Sequence, residues 1–300
     1  MVYTPAHVPG SARLALLAAC FLWAVSFVAT KVALASTPPL SVVALRLVIS
    51  AACFVVWIAA TGRTFRIGGT RQLVRLLGLS LLGTGLHYGI QTIGLEYTTA
   101  SNASLYAVTG PITIVVLAAI FLHEPVGTRK VVGIVLAVLG VLTVMGIDTL
   151  SRADLGGHVL GDALVLGSIV LWGMFTVFGK KLTDELGALR VTAVVTIIGA
   201  TWMLPVGWIE ARLRSFSLVR VTVDGWVAIA FLGIGCSFLA TLLYFMALER
   251  TESQKVGVYL YTIPPMTAVV AALYLHEVLT PRFFLGSLLV FGGVWLTERG

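Results

Sequence analysis

The chain of 300 residues is 58% hydrophobic and only 11% charged, whereas a soluble domain is usually about a quarter charged. This composition excludes a soluble domain and indicates a membrane protein that has the lipid bilayer as its main partner. The net charge of +7 is explained by basic loops beside anionic lipid headgroups, so no nucleic-acid partner is predicted.

Ten apolar segments of roughly 20 residues each are long enough to cross about 30 Å of hydrocarbon as α-helices. The three cysteines lie inside these segments without CxxC or Cys/His spacing, so no disulfide, metal site or cofactor is predicted. The predicted spans, numbered one to ten, are residues 13–35, 39–60, 72–95, 99–122, 128–147, 159–180, 189–209, 224–248, 254–275 and 281–298.

Spans one and two combine aromatic rings with two basic residues at membrane depth. Trp23 and Phe27 share a face of span one with hydroxyl groups, which suits a substrate with an apolar body and a few polar atoms. Lys31 is explained by snorkelling toward the surface. Arg46 lies about two turns into span two, where it either attracts a carboxylate or phosphate or hydrogen-bonds carbonyl groups of a neighbouring helix.

Polar side chains recur at helical spacing along spans three, four, eight and nine, and each set faces one side of its helix. In hydrocarbon such groups need partners, so they are expected to face the bundle interior or a wet cavity. With residues of spans one, two and six they form the predicted substrate cavity, which comprises Trp23, Phe27, Arg46, Thr84, His87, Tyr88, Gln91, Asn102, Tyr106, Thr109, Trp172, Thr176, Ser237, Thr241, Tyr244, Tyr259 and Thr262.

Three intramembrane residues have two interpretations each. His87 lies well inside span three, where an imidazole could titrate near neutral pH and couple transport to protons. The alternative is a buried histidine whose hydrogen bonds are satisfied within the fold. Pro111 and Pro264 are predicted to kink spans four and nine, since each frees a carbonyl four residues back. The kinks serve either as gates or only as a means of packing.

The two halves of the chain are copies of each other. A shift of 153 residues pairs Tyr106 with Tyr259, and a shift of 149 pairs Trp23 with Trp172. The first shift also pairs two LHE triplets, and Glu124 of the first triplet is expected to cap or anchor a helix end. Each copy holds five spans, an odd number, so the second copy enters the membrane from the opposite side.

Residues 1–150 and 151–300 are therefore predicted to be two inverted five-helix repeats within one integrated membrane domain. The fold class is an all-α polytopic membrane protein with ten transmembrane helices. Inverted repeats provide two related shapes, each open to one side, with a binding site at the interface between the halves. This arrangement predicts alternating access.

Glycines recur every seven residues on spans five and ten, at Gly133 and Gly140 and at Gly286 and Gly293. This spacing keeps small residues on one helix face and favours close contact with another helix. The contact is made either within one chain or across a homodimer through helices five and ten.

The orientation follows from the basic residues, which favour cytoplasmic loops. With the N-terminus inside, 13 basic residues are cytoplasmic and 5 face outward. Both termini are therefore predicted to be cytoplasmic.

The stretches LWAVSFVATKVAL and PLSVVALRLVIS, together with the LExT, tyrosine, proline, LHE and glycine pattern of both halves, resemble the EamA-type branch of the drug/metabolite transporter superfamily. The resemblance covers nearly the whole chain, and Arg46 resembles the arginine of that family in the same span. It implies a multi-pass exporter of small metabolites in the bacterial inner membrane. The branch includes exporters of amino acids, aromatic ones among them.

The prediction is a secondary transporter that exports neutral or aromatic amino acids. The alternative is an anion exchanger for sugar phosphates or nucleotide sugars, which Arg46 and Lys31 would favour. An intramembrane enzyme would need a nucleophile with its base, an aspartate pair or a metal cluster. The sequence has no GxSxG, HExxH or Walker A motif, so neither enzymatic activity nor ATP-driven pumping is predicted.

Overall fold

The computed structural model describes residues 8–62, 68–98, 103, 106–145, 159–275 and 281–300. Every regular element within these ranges is helical, and six of the helices are individually long and apolar enough to cross a membrane. The helices follow the predicted spans and confirm an all-α polytopic membrane protein. They are α1 (Gly10–Leu34), α2 (Pro39–Thr61), α3 (Thr70–Tyr97), α4 (Thr109–Phe121), α5 (Thr128–Met145), α6 (Val159–Leu186), α7 (Ala188–Leu213), α8 (Val223–Leu248), α9 (253–275) and α10 (Pro281–Glu298).

Several helix ends lie where the sequence supplies glycine or proline. Pro39 is the first residue of α2. The backbone N–H of a residue at this position makes no hydrogen bond within the helix, so proline, which lacks the N–H, is tolerated there. Gly62 ends the same helix at a φ of 63°, and Gly187 precedes α7 at a φ of 82°. Glycine adopts these positive φ values without steric cost. Gly187 is the single residue between α6 and α7, so the chain turns there within one residue.

Helices of the first half pack against helices of the second half, and repeat-equivalent helices run antiparallel. Ser41, at the start of α2, donates its backbone N–H to Glu210 near the end of α7, with a distance of 2.8 Å. In α4 and α9, Gly110 approaches Leu260 while Ile114 contacts Gly257, so these helices also run in opposite directions. Antiparallel packing of equivalent helices is the relationship that inverted repeats require.

The glycine faces of α5 and α10 contact each other within one chain. A Cβ atom at Gly140 would lie 2.6 Å from the backbone nitrogen of Val290 and 2.7 Å from the carbonyl oxygen of Gly286. Such distances are shorter than van der Waals contact, so the helices approach closely only because these positions lack side chains. A homodimer would have to use other faces of α5 and α10, and it stays a prediction.

Both ends of the chain lie at the same end of the bundle, which we call the terminal end. Arg13 in the first turn of α1 forms an ion pair with Glu298 at the end of α10, with a distance of 2.9 Å. The start of α1 and the end of α10 are therefore neighbours. The other end of the bundle, where α1 and α3 end and α2 begins, is called the opposite end.

Three helices depart locally from α-helical winding. In α3 and α8, which are equivalent in the repeat, residues Leu81–His87 and Leu232–Ala240 form π-helical turns. In α9, residues Val258–Thr262 form a 3₁₀ turn. π-Helical turns are often found at functional sites because they re-aim side chains.

Neither predicted kink residue lies in the middle of a regular α-helix. Pro111 is in the first turn of α4, where a missing N–H is tolerated. Pro264 lies where α9 changes from the 3₁₀ turn to the α-helix Ile263–Leu275. Both prolines therefore mark a local change of winding, and their role as gates stays a prediction.

Candidate functional site

A cavity lies between the two halves, with an empty volume of about 770 Å³ that includes its open part. Its wall follows α1 from Trp23 to Thr30 and α3 from His87 to Leu95. Both stretches run from the middle of the bundle toward the opposite end, so the cavity reaches in that direction. Predicted residues that line it are Trp23, Phe27, Arg46, His87, Tyr88, Gln91 and Trp172.

Aromatic rings form the floor of the cavity. Trp23 and Trp172 meet edge to face, with ring centroids 5.1 Å apart. Tyr244 lies beneath them, fully buried, with its ring centroid 5.5 Å from that of Trp172. The Thr176 hydroxyl is 3.4 Å from the Tyr244 hydroxyl and is also buried. Tyr244 and Thr176 were predicted to line the cavity, but the structure places them behind its floor.

Arg46 carries the positive charge of the cavity wall. The side chain is 4% exposed, and its Nε donates a hydrogen bond of 2.9 Å to the Ser237 hydroxyl. The guanidinium carbon lies 4.2 Å from the centre of the Tyr88 ring, a cation–π geometry. Among the ion pairs of the described residues, none involves Arg46.

Arg46 is therefore a buried cation without a described anionic partner. A buried charge is costly unless it is paired, so the cavity favours an anionic group on its ligand. The sequence left open a hydrogen bond from Arg46 to helix carbonyls, and the structure shows a side-chain hydroxyl in that position instead.

Thr84, Ser237 and Thr241 line a separate, smaller gap on the other side of Tyr88. The Thr84 hydroxyl donates to the Ser80 carbonyl at 2.6 Å. The Thr241 hydroxyl donates to the Cys236 carbonyl at 3.1 Å, five residues earlier in the π-helical turn of α8. These threonines therefore satisfy backbone groups of their own helices, and only Ser237 contacts Arg46 directly.

His87 is held by the backbone of the second half. Its Nδ1 lies 2.8 Å from the carbonyl oxygen of Ser168 in α6. The ring also packs against Tyr88 and Trp172, with centroid distances of 5.0 Å and 5.1 Å. These contacts fix the imidazole in the cavity wall beside Arg46.

The predicted polar residues of span four lie toward the opposite end and outside the cavity. Tyr106 packs against the apolar cluster that includes Leu95 and Val165. The neighbouring Asp162 accepts a hydrogen bond of 2.5 Å from the Thr98 hydroxyl. The Thr109 hydroxyl donates to the Tyr106 carbonyl at 2.7 Å. Asn102 lies outside the described residues.

Tyr259 and Thr262 lie at the terminal end, away from the cavity. The Tyr259 hydroxyl donates to Glu298, the same carboxylate that pairs with Arg13. The Thr262 hydroxyl donates to the Tyr259 carbonyl at 2.7 Å. The prediction assumed α-helical spacing here, but a 3₁₀ turn advances about 120° per residue. Leu260 therefore faces the cavity in place of its polar neighbours.

Lys31 is also outside the cavity. Its ammonium donates to the carbonyls of Leu95 and Thr98, at 2.5 Å and 2.8 Å. These groups end α3, where a helix has carbonyls without intrahelical partners. Lys31 therefore caps α3 and leaves Arg46 as the cation of the cavity wall.

Hydrogen bonds and a buried ion pair join helices at the terminal end. Glu124 accepts the backbone N–H groups of Ser253 and Gln254, at 2.8 Å and 3.1 Å. It thereby caps the start of α9, which confirms the predicted role of this glutamate. Lys130 pairs with Glu252 at 2.5 Å, and both side chains are buried. These bonds tie the start of α9 to the loop before α5 and to α5 itself.

Sequence reasoning missed several apolar residues of the cavity wall. Ile169, Leu260 and Ile263 line it, as does Gly110 in α4. Apolar residues and glycines occur on every face of a membrane span, so the spacing of these four along the sequence does not identify them as cavity residues. Within the described part of the chain, no cluster of histidine, cysteine, aspartate and glutamate could hold a metal ion.

Comparisons with known proteins agree with this architecture. The sequence model of the EamA-like transporter family matches residues 10–146 and, a second time, residues 159–299. The chain is 32% identical over 280 residues to the uncharacterized transporter YvbV of Bacillus subtilis (strain 168), covering 92% of this chain and 88% of that protein.

A second relative, from Streptantibioticus cattleyicolor, is described as a probable terminal-alkyne amino-acid exporter. It is 25% identical over 280 residues, which cover 92% of this chain and 90% of that protein. A solved crystal structure superposes with a TM-score of 0.76 at 20% sequence identity, over 96% of this chain and 98% of the other. This likeness shows a shared fold.

Proposed function

Because the chain belongs to the EamA-like transporter family, we propose that it exports neutral amino acids with large apolar or aromatic side chains. Transport proceeds by alternating access, with the cavity between the inverted repeats as the binding site. The protein acts as a secondary transporter, and a multi-pass membrane location follows from its family and its apolar helices.

One observation carries this proposal: the cavity joins an aromatic wall to a single buried cation. Trp23, Phe27, Tyr88 and Trp172 provide apolar surface, and Arg46 provides a buried positive charge that has no ion-pair partner among the described residues. An amino acid with a large side chain presents both complementary features, a carboxylate and an apolar body. Small-molecule sites commonly combine apolar walls with a few placed polar groups.

We infer that this arrangement of the helices is one state of an alternating-access cycle. The cavity reaches toward the opposite end, whereas the pairs Lys130–Glu252 and Arg13–Glu298 join helices at the terminal end. In the other state these pairs would separate, and contacts at the opposite end would form. We propose that the terminal end is cytoplasmic in a bacterial inner membrane, so that the state described here faces outward.

The relative described as a probable terminal-alkyne amino-acid exporter supports an amino-acid substrate. Exchange of sugar phosphates is the less favoured alternative. A phosphate carries up to two negative charges and would be expected to need several cations, but Lys31 is engaged with the end of α3. Arg46 alone suits a singly charged carboxylate better.

The test is flux in proteoliposomes that contain the purified protein. We expect countertransport of labelled phenylalanine and leucine, returned chemically unchanged, and no exchange of glucose 6-phosphate. Readily exchanged sugar phosphates without amino-acid flux would contradict the proposal. Flux measured with and without a pH gradient separates proton coupling from facilitated movement.

The Arg46→Gln variant tests the role of the cavity cation. We expect its apparent affinity for phenylalanine to fall by about tenfold or more, because a hydrogen bond to a charged group is lost. The matched control is Arg212→Gln, since Arg212 lies at the end of α7 over the Trp208 ring, away from the cavity. Equal affinity in both variants would remove Arg46 from the binding site.

A further inference from the structure

The hydrogen bond of His87 determines which of its nitrogens carries the proton. Nδ1 lies 2.8 Å from the carbonyl oxygen of Ser168, and a carbonyl oxygen can only accept. Nδ1 must therefore be the donor, so in the neutral imidazole the other nitrogen, Nε2, is an acceptor. The residues that line the cavity include no carboxylate to stabilise a second positive charge beside Arg46, which favours the neutral ring.

Nε2 is available to a ligand. The described residues provide a partner for Nδ1 only, and His87 lines the cavity. Its ring is held by Tyr88 on one side and Trp172 on another, so the acceptor is fixed in direction before a ligand arrives. A preorganised acceptor binds without the cost of ordering a flexible side chain.

His87 and Arg46 are neighbours through Tyr88. The Arg46 guanidinium carbon lies 4.2 Å from the centre of the Tyr88 ring, and the His87 ring centroid lies 5.0 Å from the same ring. The wall thus presents a cationic donor and a neutral acceptor around one aromatic side chain. An α-amino acid has the complementary pair, a carboxylate and an ammonium separated by a single carbon.

We propose that His87 is a specificity-determining residue whose Nε2 accepts a hydrogen bond from the substrate ammonium while Arg46 binds the carboxylate. The cavity then selects zwitterionic α-amino acids over carboxylates that lack the amino group. The Ser168 carbonyl acts as a positioning group, because it holds the tautomer that leaves Nε2 unprotonated. This inference rests on the proposed amino-acid substrate and specifies how that substrate is recognised.

Gln91 is the rival acceptor, because its side-chain oxygen also belongs to the cavity wall. The amide can rotate between donor and acceptor orientations, whereas the imidazole is held by the Ser168 carbonyl. The two residues make different predictions, so variants of each distinguish them.

The test compares binding of phenylalanine and 3-phenylpropionate, which differ by the amino group. Binding is measured as ligand-dependent thermal stabilisation of the purified full chain, which needs no flux. We expect the wild-type protein to bind phenylalanine at least about tenfold more tightly, the size of one hydrogen bond to a charged group.

Two substitutions of His87 distinguish the role of Nδ1 from that of Nε2. An asparagine amide can replace Nδ1 as donor to Ser168 but does not reach the place of Nε2, so His87→Asn is expected to lower the preference for phenylalanine by about tenfold. A glutamine amide reaches that place, so His87→Gln is expected to keep most of the preference. Gln91→Leu tests the rival acceptor: the affinity for both ligands can change, but the preference for phenylalanine is expected to be kept.

Three results would overturn the inference. The wild-type protein could bind 3-phenylpropionate as tightly as phenylalanine, or His87→Asn could weaken both ligands equally. The preference could also be lost in Gln91→Leu and kept in His87→Asn, which would assign the ammonium to Gln91. A wild-type protein that neither binds nor transports phenylalanine would instead refute the proposed function.

Discussion

Trp23 and Trp172, which occupy equivalent positions in the two halves, meet edge to face at the centre of the bundle with ring centroids 5.1 Å apart and planes at 84°. Edge-to-face contact is a favourable geometry for aromatic pairs. The pair forms the floor of the cavity and separates it from the packed terminal half, where Tyr244 and Phe245 are buried. The two equivalent tryptophans thus meet where the halves adjoin. The site contains residues of both halves, so neither half alone could form it.

The size of the floor should set the size of the preferred substrate. Trp23→Phe lowers the floor, so we expect the preference for tryptophan over phenylalanine to rise on the order of tenfold, as for other changes of pocket depth. Competition of each amino acid with labelled leucine flux measures this preference. Trp295→Phe is the control, since Trp295 is 51% exposed and stacks with Arg299 away from the cavity. An unchanged preference in Trp23→Phe would show that the indole does not limit the cavity.

The Ser237 hydroxyl should position Arg46 for its ligand. In Ser237→Ala the buried Nε–H loses its acceptor, which costs about 1–3 kcal/mol of stability, and the guanidinium is free to turn. We expect the affinity for phenylalanine to fall several-fold, measured by ligand-dependent thermal stabilisation. Thr241→Ala removes a hydroxyl from the same gap whose bond goes to the Cys236 carbonyl. Equal loss in both variants would contradict a specific role for Ser237.

The bond between Tyr259 and Glu298 should help to hold the terminal end closed. Cys20 is fully buried and donates its thiol to the Tyr259 carbonyl at 3.3 Å, so it reports opening at this place. In a background with Cys53→Ala and Cys236→Ala, we expect Tyr259→Phe to increase the rate at which N-ethylmaleimide labels Cys20.

Tyr261→Phe is the matched control for this experiment. The Tyr261 hydroxyl is buried and has no hydrogen-bond partner within the described part of the chain, so its removal breaks no bond there. We expect labelling at the rate of the parent protein. Labelling that is equally slow in Tyr259→Phe would show that the hydroxyl is not needed for closure.

Close packing of α5 on α10 should depend on the glycines at their contact. Gly140→Ala would place a methyl group 2.6 Å from the Val290 nitrogen, so the helices must separate, at a cost of about 1–3 kcal/mol. We expect a thermal midpoint lower by several degrees in detergent. In Gly292→Ala the new carbon would lie 3.8 Å from Leu136, an ordinary contact, and the midpoint should stay within about one degree. Equal midpoints would mean that the helix contact is loose.

The cavity residues show how far helical spacing predicts a site. Trp23 and Trp172 line the cavity as their spacing indicated, because α1 and α6 are regular α-helices there. His87 also lines it, although it is the last residue of a π-helical turn. Tyr259 does not, because a 3₁₀ turn rotates this part of α9. Thr84 likewise belongs to a π-helical turn and lies behind Tyr88. Local changes of winding have no signal in hydrophobic periodicity, so these two placements required the structure.

The sequence by itself determined that the chain is an all-α polytopic membrane protein, and it predicted ten spans in two inverted repeats. The start of α4 at Thr109, ten residues after the predicted start of span four, came from the structure. A helix that crosses hydrocarbon needs a minimum length and backbone hydrogen bonds within itself. The five predicted spans between the repeated motifs are then counted directly in the sequence. Only the tertiary structure decided that Arg46 meets Ser237 and no described carboxylate, that His87 is anchored by Ser168, and that Lys130 pairs with Glu252 at the terminal end. These features depend on contacts between residues of different halves, whose distances and directions arise only when the helices pack.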